Sequence, residues 1–298
     1  MKADKNAIKR IVVTGKSGFV GQNLWEAWSD KYDLHSASFS NSSVESIPVS
    51  NGDIVIHLAG IAHQKKGTDP NLYYSINYQK SVDFAKRAKQ QGASQFVFIS
   101  TTKVYGVNVG TGITEMSSCH PTDDYGKSKL QAEQEIAALQ DDTFTVAIIR
   151  PPLVYGPGVK GNMLKLLNLC ASGKPLPFKG VNNERSIVYV GNLLAMLRQI
   201  VEQQKGGIFI PSDDQPFSTF SMLKLMKNLL GTKNLEVSIP AWMIYLLSKV
   251  KPELKDKIFG TLVYDNTQSK RILDFHNPYS TEEGFDEMVK WYKANYNK

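Results

Sequence analysis

Tyr125 and Lys129 stand four residues apart in Tyr125-Gly126-Lys127-Ser128-Lys129, so a helix beginning there carries a phenol and an ammonium on one face. Such a pair can move a proton. A free tyrosine titrates near 10, and a tyrosine acting as acid or base near neutrality needs a shift of roughly 3 units, about 4 kcal/mol in favour of the phenolate. A neighbouring ammonium supplies part of that. Standing alone, the same residues also describe a solvated helix start. The second chemically informative stretch is Thr14-Gly15-Lys16-Ser17-Gly18-Phe19-Val20-Gly21, in which glycines recur every three residues between a strand-like and a helical run. A tight turn, close approach of backbone to a pyrophosphate and close helix-on-strand packing each call for glycine, and the helix N-terminus faces the anion. Gly15, Ser17, Gly18, Phe19 and Val20 are therefore candidates for phosphate and dinucleotide contact. Gly15-Lys16-Ser17 also matches the end of a nucleoside-triphosphate P-loop, but that motif needs a glycine five residues earlier, where Arg10 stands.

The elements that must position these groups alternate. Strand signals at 9–14, 34–39, 53–59, 95–100 and 145–150 are separated by helical runs at 20–29, 71–91 and 125–139. Too few residues lie between 39 and 53 for a full crossover helix, so the second βα unit is expected to be trimmed. The pattern predicts an α/β fold, a doubly wound parallel sheet of Rossmann type. After Arg150 the turn-rich PPLVYGPG opens a smaller α+β lobe interleaved with the first. Residues 186–190 and a helix at 193–203 are expected to return to the sheet. The expected domains are 1–152 with 181–207 for the dinucleotide and 153–180 with 208–298 for the substrate.

Length and composition set the outer bounds. At 298 residues, 42% hydrophobic and 21% charged, the chain is a folded globular protein without low-complexity sequence. The net charge of +7 is scattered instead of gathered into a basic run, which argues against nucleic acid and for anionic small molecules. Cys119 and Cys170 lie far apart with no metal-ligand spacing, so neither disulfides nor a metal site is expected, and reduced cytoplasmic thiols are the default. No secretory signal pattern opens the sequence. The apolar run at 241–247, AWMIYLL, is too short to span a membrane and reads as a buried helix of the small lobe.

Taken together, the glycine turn, His57-Leu58-Ala59-Gly60, Ser100-Thr101-Thr102-Lys103-Val104-Tyr105-Gly106 and the Tyr-Lys pair resemble the extended short-chain dehydrogenase/reductase family. These are the sugar-nucleotide epimerases, dehydratases and reductases, and the likeness spans nearly the whole chain. The resemblance implies an enzyme that binds NAD or NADP, with Thr101, Tyr125 and Lys129 catalytic and Ser100 as backup to Thr101. It implies cofactor contacts from Leu58, Ala59, Gly60, Ser100 and Pro152, with Asn77 steadying the active-site backbone. It assigns Asn162, Phe178 and Arg185 to the nucleotide half of a nucleotide-sugar substrate, UDP favoured, and His63 and Thr102 to the sugar pocket. Relatives also pair the helices at 71–91 and 125–139 across a two-fold axis, so a homodimer is expected.

Family dehydratases carry Thr-Asp-Glu where this chain has Thr101-Thr102-Lys103. Without those acids the choice narrows to ketoreduction or epimerisation. The run RPPLVYGPGVKGN at 150–162, with Pro175-Leu176-Pro177 and Arg185-Ser186, resembles bacterial enzymes that reduce a UDP-4-keto-6-deoxy-N-acetylhexosamine for surface polysaccharides. The alternatives are a UDP-hexose 4-epimerase and, in a different class, a non-catalytic NAD(P)-binding regulatory protein. An NAD site usually ends its second strand on an acid and an NADP site places an arginine nearby. Ser38-Phe39-Ser40-Asn41-Ser42-Ser43 offers neither, which leaves the dinucleotide open.

Overall fold

The computed structural model describes residues 9–39, 43–62, 69–106, 110–176, 178–240, 249–250 and 259–296. His63 and the apolar run 241–247 lie outside them. Contacts divide the chain into two compact units, Met1–Val104 with Cys119–Arg150 and Leu197–Phe209, and Tyr105–Ser118 with Pro151–Met196 and Ile210–Lys298. One boundary falls inside the helix Val190–Glu202, and the segment after Val104 groups with the second unit.

The first unit is built on β1 (Arg10–Thr14), β2 (Asp33–Ala37), β3 (Ile54–His57), β4 (Gln95–Ile99), β6 (Thr145–Ile149) and β9 (Gly207–Phe209). They form one parallel sheet in the order β2-β1-β3-β4-β6-β9. Its central strands are continuous apolar runs because both faces are covered: Ile11 to Val13, Ile54 to Ile56 and Phe96 to Phe98 are almost wholly buried. From β1 the chain goes first to β2 on one side and then to β3 on the other. That reversal opens a crevice beyond the carboxyl ends of β1 and β3, where doubly wound sheets hold their ligands. Between β2 and β3 stands only a 3-10 turn, Val44–Ser46, so the second βα unit is indeed trimmed.

Two expectations need correction. The segment read as one helix from 71 to 91 is a short α-turn (α2, Asn71–Tyr73), a π-helical stretch (Tyr74–Gln79) and a regular helix (α3, Lys80–Gln90). The wider turn carries Asn77, fully buried, towards the end of β3. Of the stretch expected to rejoin the large sheet, the strand does not, whereas the helix after it groups with the first unit from Leu197 onward. Ile187–Tyr189 (β8) pairs with Leu153–Tyr155 (β7) in a two-stranded sheet of the second unit, and the sixth strand of the large sheet is β9. A three-residue apolar strand carries no signal of its partner.

In the second unit Asp213 ties the small sheet together. Its carboxylate accepts from Tyr155 Oη at 2.7 Å, Tyr189 N at 3.0 Å and Asn192 Nδ2 at 2.8 Å, all buried. The segment Gly110–Ile113 (β5) pairs with Leu262–Tyr264 (β10), and α5 (Gly161–Ala171) and the helix Thr281–Tyr296 both pack on α7 (Thr219–Leu230). Among the described residues, no helix is long and apolar enough to cross a membrane.

Candidate functional site

The glycine turn joins β1 to α1 (Phe19–Trp28) and touches the end of β3. Gly15 adopts φ +77°, and a Cβ there would lie 2.7 Å from the Ala59 nitrogen and 2.9 Å from the Leu58 carbonyl carbon. A Cβ on Gly21 would strike the Gly15 carbonyl oxygen. Gly18 N closes the turn on Gly15 O at 2.9 Å, and Thr14 Oγ1 accepts from Ala59 N at 3.3 Å. Gly15 to Gly18 and Leu58 to Ile61 thereby form one wall of a cleft of about 780 Å³, a size ordinary for a small-molecule site. The N-terminus of α1 has no side-chain cap and no acid in its first turn, which suits an anion. Phe19 and Val20 sit half-buried in that turn and do not line the cleft.

Beside the cleft lie the acid-base groups. Helix α4 (Asp124–Ala137) starts on Asp123, whose Oδ1 accepts from Gly126 N at 2.7 Å. Its other oxygen meets Lys103 Nζ at 2.7 Å. Tyr125 therefore occupies the first turn, and Lys129 follows one turn on. Asp123→Ala is expected to lower stability by about 1 kcal/mol, the usual value of an N-cap, and a urea denaturation midpoint will read it. The Tyr125 phenol is hydrogen-bonded with Thr101, whose Oγ1 also accepts from Lys103 N at 3.2 Å. Lys129 is buried, donating to Ile99 O at 2.8 Å with its ammonium 4.4 Å from the centre of the Phe98 ring.

Asn77 links these parts. Its Oδ1 accepts from Ile61 N at 2.8 Å, and its Nδ2 donates to Ile61 O at 2.9 Å and to Ser128 Oγ at 3.5 Å. A Cβ on Gly60 would come within 2.9 Å of Asn77 Oδ1 and 3.3 Å of Lys129 Nζ, so only glycine lets the loop after β3 approach the lysine. Ser100 Oγ is buried without a partner among the described residues, and Thr102 is buried in the 3-10 turn Thr102–Tyr105. An orphaned hydroxyl and glycines that hold space open fit a dinucleotide laid along this edge.

The electrostatics differ from the expectation that Lys129 would draw Tyr125 towards neutrality. Although the Tyr125 ring is partly exposed, burial pushes its phenol up to about 12, against the opposing hydrogen bond of Thr101. Burial likewise pushes Lys129 down to about 8, against the attraction of Glu133. Desolvation penalises both charged forms more than the pair helps either. His57, in the strand end quoted above, is a core residue. Its ring lies between Thr14 Oγ1 at 2.7 Å and Ser81 Oγ at 2.9 Å, stacks on Phe98, and burial holds it well below the usual histidine range.

The sequence reading missed two features. One is a buried ion pair one turn beyond Lys129: Arg150 Nη2 meets Glu133 Oε2 at 2.6 Å, and its Nε meets both carboxylate oxygens at 3.1 Å. The other is the far end of the cleft, which Lys16, Trp25 and Lys80 line with residues 36–39.

In the second unit, Arg185 donates from Nη1 to Gly260 O at 3.0 Å and pairs its backbone with Phe217. Burial lowers its pKa. A cavity of about 360 Å³ nearby in sequence is lined by Lys179 to Asn183 and Thr261. Phe178 stands on the turn just before it, accepting from Val181 N at 3.1 Å, but does not line it. Asn162 is exposed at the second position of α5, and Pro152 is half-buried ahead of β7.

A model of the NAD dependent epimerase/dehydratase family matches residues 11–210. A UDP-glucose 4-epimerase of Vibrio cholerae is 33% identical over 96% of this chain and 96% of its own length. An N-acetyl-α-D-glucosaminyl-diphospho-ditrans,octacis-undecaprenol 4-epimerase of Escherichia coli O157:H7 is 26% identical over 94% of each. Among solved structures, RMD of Pseudomonas aeruginosa complexed with NADPH superposes with a TM-score of 0.78 at 18% identity, over 96% of this chain and 99% of that one.

Proposed function

Because the chain belongs to the NAD-dependent epimerase/dehydratase family, we propose that it reduces the 4-keto group of a UDP-linked 6-deoxy-N-acetylhexosamine. The family comprises NAD(P)-dependent enzymes of sugar nucleotides. The observation that carries the finer reading is the Tyr125–Thr101 hydroxyl pair, set where no carboxylate stands at Thr102 or Lys103. With its pKa pushed up to about 12, the phenol is protonated at neutral pH and can donate the proton that ketone reduction requires. Nicotinamide, when bound, supplies the hydride to sugar carbon 4. Tyr125 gives its proton to the oxygen that becomes the alcohol, and Thr101 steadies that oxygen by a hydrogen bond. Lys129, held between Ile99 O and the loop after β3, orients the ribose beside the nicotinamide. Gly15 to Gly18 receive the pyrophosphate, and Leu58 to Gly60, Asn77 and Ser100 line or brace the same edge. Pro152 is assigned to the cofactor, and Arg185, Asn162 and Phe178 to the nucleotide half of the substrate.

The test is direct. Given a UDP-4-keto-6-deoxy-N-acetylhexosamine, the purified protein is expected to consume one reduced dinucleotide per product and not to dehydrate UDP-N-acetylglucosamine. A second reading, UDP-hexose 4-epimerase, is supported by the name of the V. cholerae relative. Interconversion of UDP-hexoses with no net cofactor use would replace the first reading with the second.

We also propose a homodimer through α3 and α4. The apolar residues of these helices, among them Val82, Phe84, Ala132 and Ile136, are already buried in the first unit. Their outer face carries Asp83, Lys86, Lys127, Gln131 and Gln134, so the interface would be polar. Light scattering at micromolar concentration should give twice the chain mass, and a monomer mass removes the dimer.

A further inference from the structure

We propose that the far end of the dinucleotide cleft selects a 2′-phosphorylated cofactor, NADP(H) over NAD(H), through the ammonium groups of Lys16 and Lys80. The proposal rests on the reading of this cleft as a nicotinamide-dinucleotide site. The ribose of the adenosine half belongs at the end of β2, where an acidic side chain would accept from both ribose hydroxyls and repel a phosphate on either. Here the strand ends on Ser36, Ala37, Ser38 and Phe39, which line the cleft with two hydroxyls and no charge.

Charge comes instead from flanking elements, and it is mainly positive. Lys80, at the start of α3, reaches the strand tip: its Nζ donates to Phe39 O at 2.6 Å and lies 5.1 Å from the centre of the Phe39 ring. Lys16 leaves the glycine turn but does not fold back over it. Its Nζ sits 3.4 Å from the centre of the Trp25 ring. Trp25 is six residues into α1, about 9 Å along its axis at 1.5 Å per residue, so this ammonium is displaced from the pyrophosphate site along the cleft wall. Both cations are thus held by residues that line the same cleft, and neither forms an ion pair among the described residues. Among the described residues, the one carboxylate lining this end is Glu26, on the exposed side of α1. Two fixed ammoniums against one solvated carboxylate favour a ligand with a dianionic group there.

Binding, read without turnover, tests this. Quenching of tryptophan fluorescence on titration reports on the cleft, because Trp25 lines it. NADPH is expected to bind at least about tenfold more tightly than NADH, and the fragment adenosine 2′,5′-bisphosphate more tightly than 5′-AMP. Lys16→Met and Lys80→Met should each weaken NADPH severalfold and leave NADH within about twofold. Ser38→Asp, which restores an acid to the strand end, should reverse the preference. Added salt should erode the advantage of NADPH, as it does for partly exposed charges. Equal or tighter binding of NADH overturns the proposal, as does a loss of both dinucleotides in equal measure in the lysine variants. Binding of neither dinucleotide to the wild-type chain removes the cofactor reading, and the proposal falls with it.

Discussion

Tyr125→Phe is expected to lower turnover by about 10²- to 10⁴-fold while dinucleotide affinity stays within about twofold. The substitution removes one oxygen. The ring keeps its place in the first turn of α4, 6.2 Å from the ring of Tyr73, and the Asp123 cap is untouched. What disappears is the hydrogen bond with Thr101 and the transferable proton. The loss should fall on kcat and kcat/KM together, because proton donation is realised in the transition state and not in substrate binding. Steady-state kinetics beside a fluorescence titration of the cofactor will separate the two. Turnover unchanged in the variant would remove Tyr125 from the mechanism.

Lys129→Met should act twice, lowering both turnover and cofactor affinity by about tenfold or more. The ammonium donates to Ile99 O and lies against the loop at Gly60, so its loss should disturb that loop, and in the proposed reading the ribose contact as well. Wild-type cofactor affinity in the variant would refute the ribose role. Its titration adds a pH signature. Burial lowers Lys129 from 10.5 to about 8, so kcat/KM of the wild-type enzyme should decline as pH rises through about 8 and the ammonium is lost. Stability should move the other way. Below about 8 the lysine is protonated in both states, and the folded protein carries the full cost of a buried charge. Between about 8 and 10.5 only the unfolded chain retains the proton, so this residue's contribution to stability rises with pH. Lys129→Met should flatten that rise when urea midpoints are compared across the window.

Much of the site was legible because backbone geometry leaves so little choice. Only glycine fits at 15, where φ is positive and Ala59 N is close, or at 21, against the Gly15 carbonyl. The spacing of Tyr125 and Lys129 on one helix face is equally readable, since a helix fixes it within a single element. Groups assembled from several elements were not. Lys16, Trp25 and Lys80 come from a turn and two helices, and no periodicity links them. Arg150 and Glu133 are 17 residues apart on a strand end and a helix. The π-helical stretch around Asn77 has a hydrophobic pattern that a regular helix would share, so its wider turn could not be seen. Burial of the pair was not legible for a related reason: spacing gives proximity, while desolvation depends on how deep the pair lies.

The buried Arg150–Glu133 pair has a consequence for alignment. An ion pair so far from water adds little net stability, because stripping solvent from both charges offsets their attraction. It does, however, discriminate strongly among ways of seating α4 on the sheet. Glu133 follows Lys129 by one helical turn, and a slip of α4 by that turn, about 5.4 Å, would bring Lys129 to face Arg150. Two buried cations would then confront each other where one cation now meets its anion. The pair thus penalises that slip of α4, and with it the displacement of Tyr125 from its height beside Thr101.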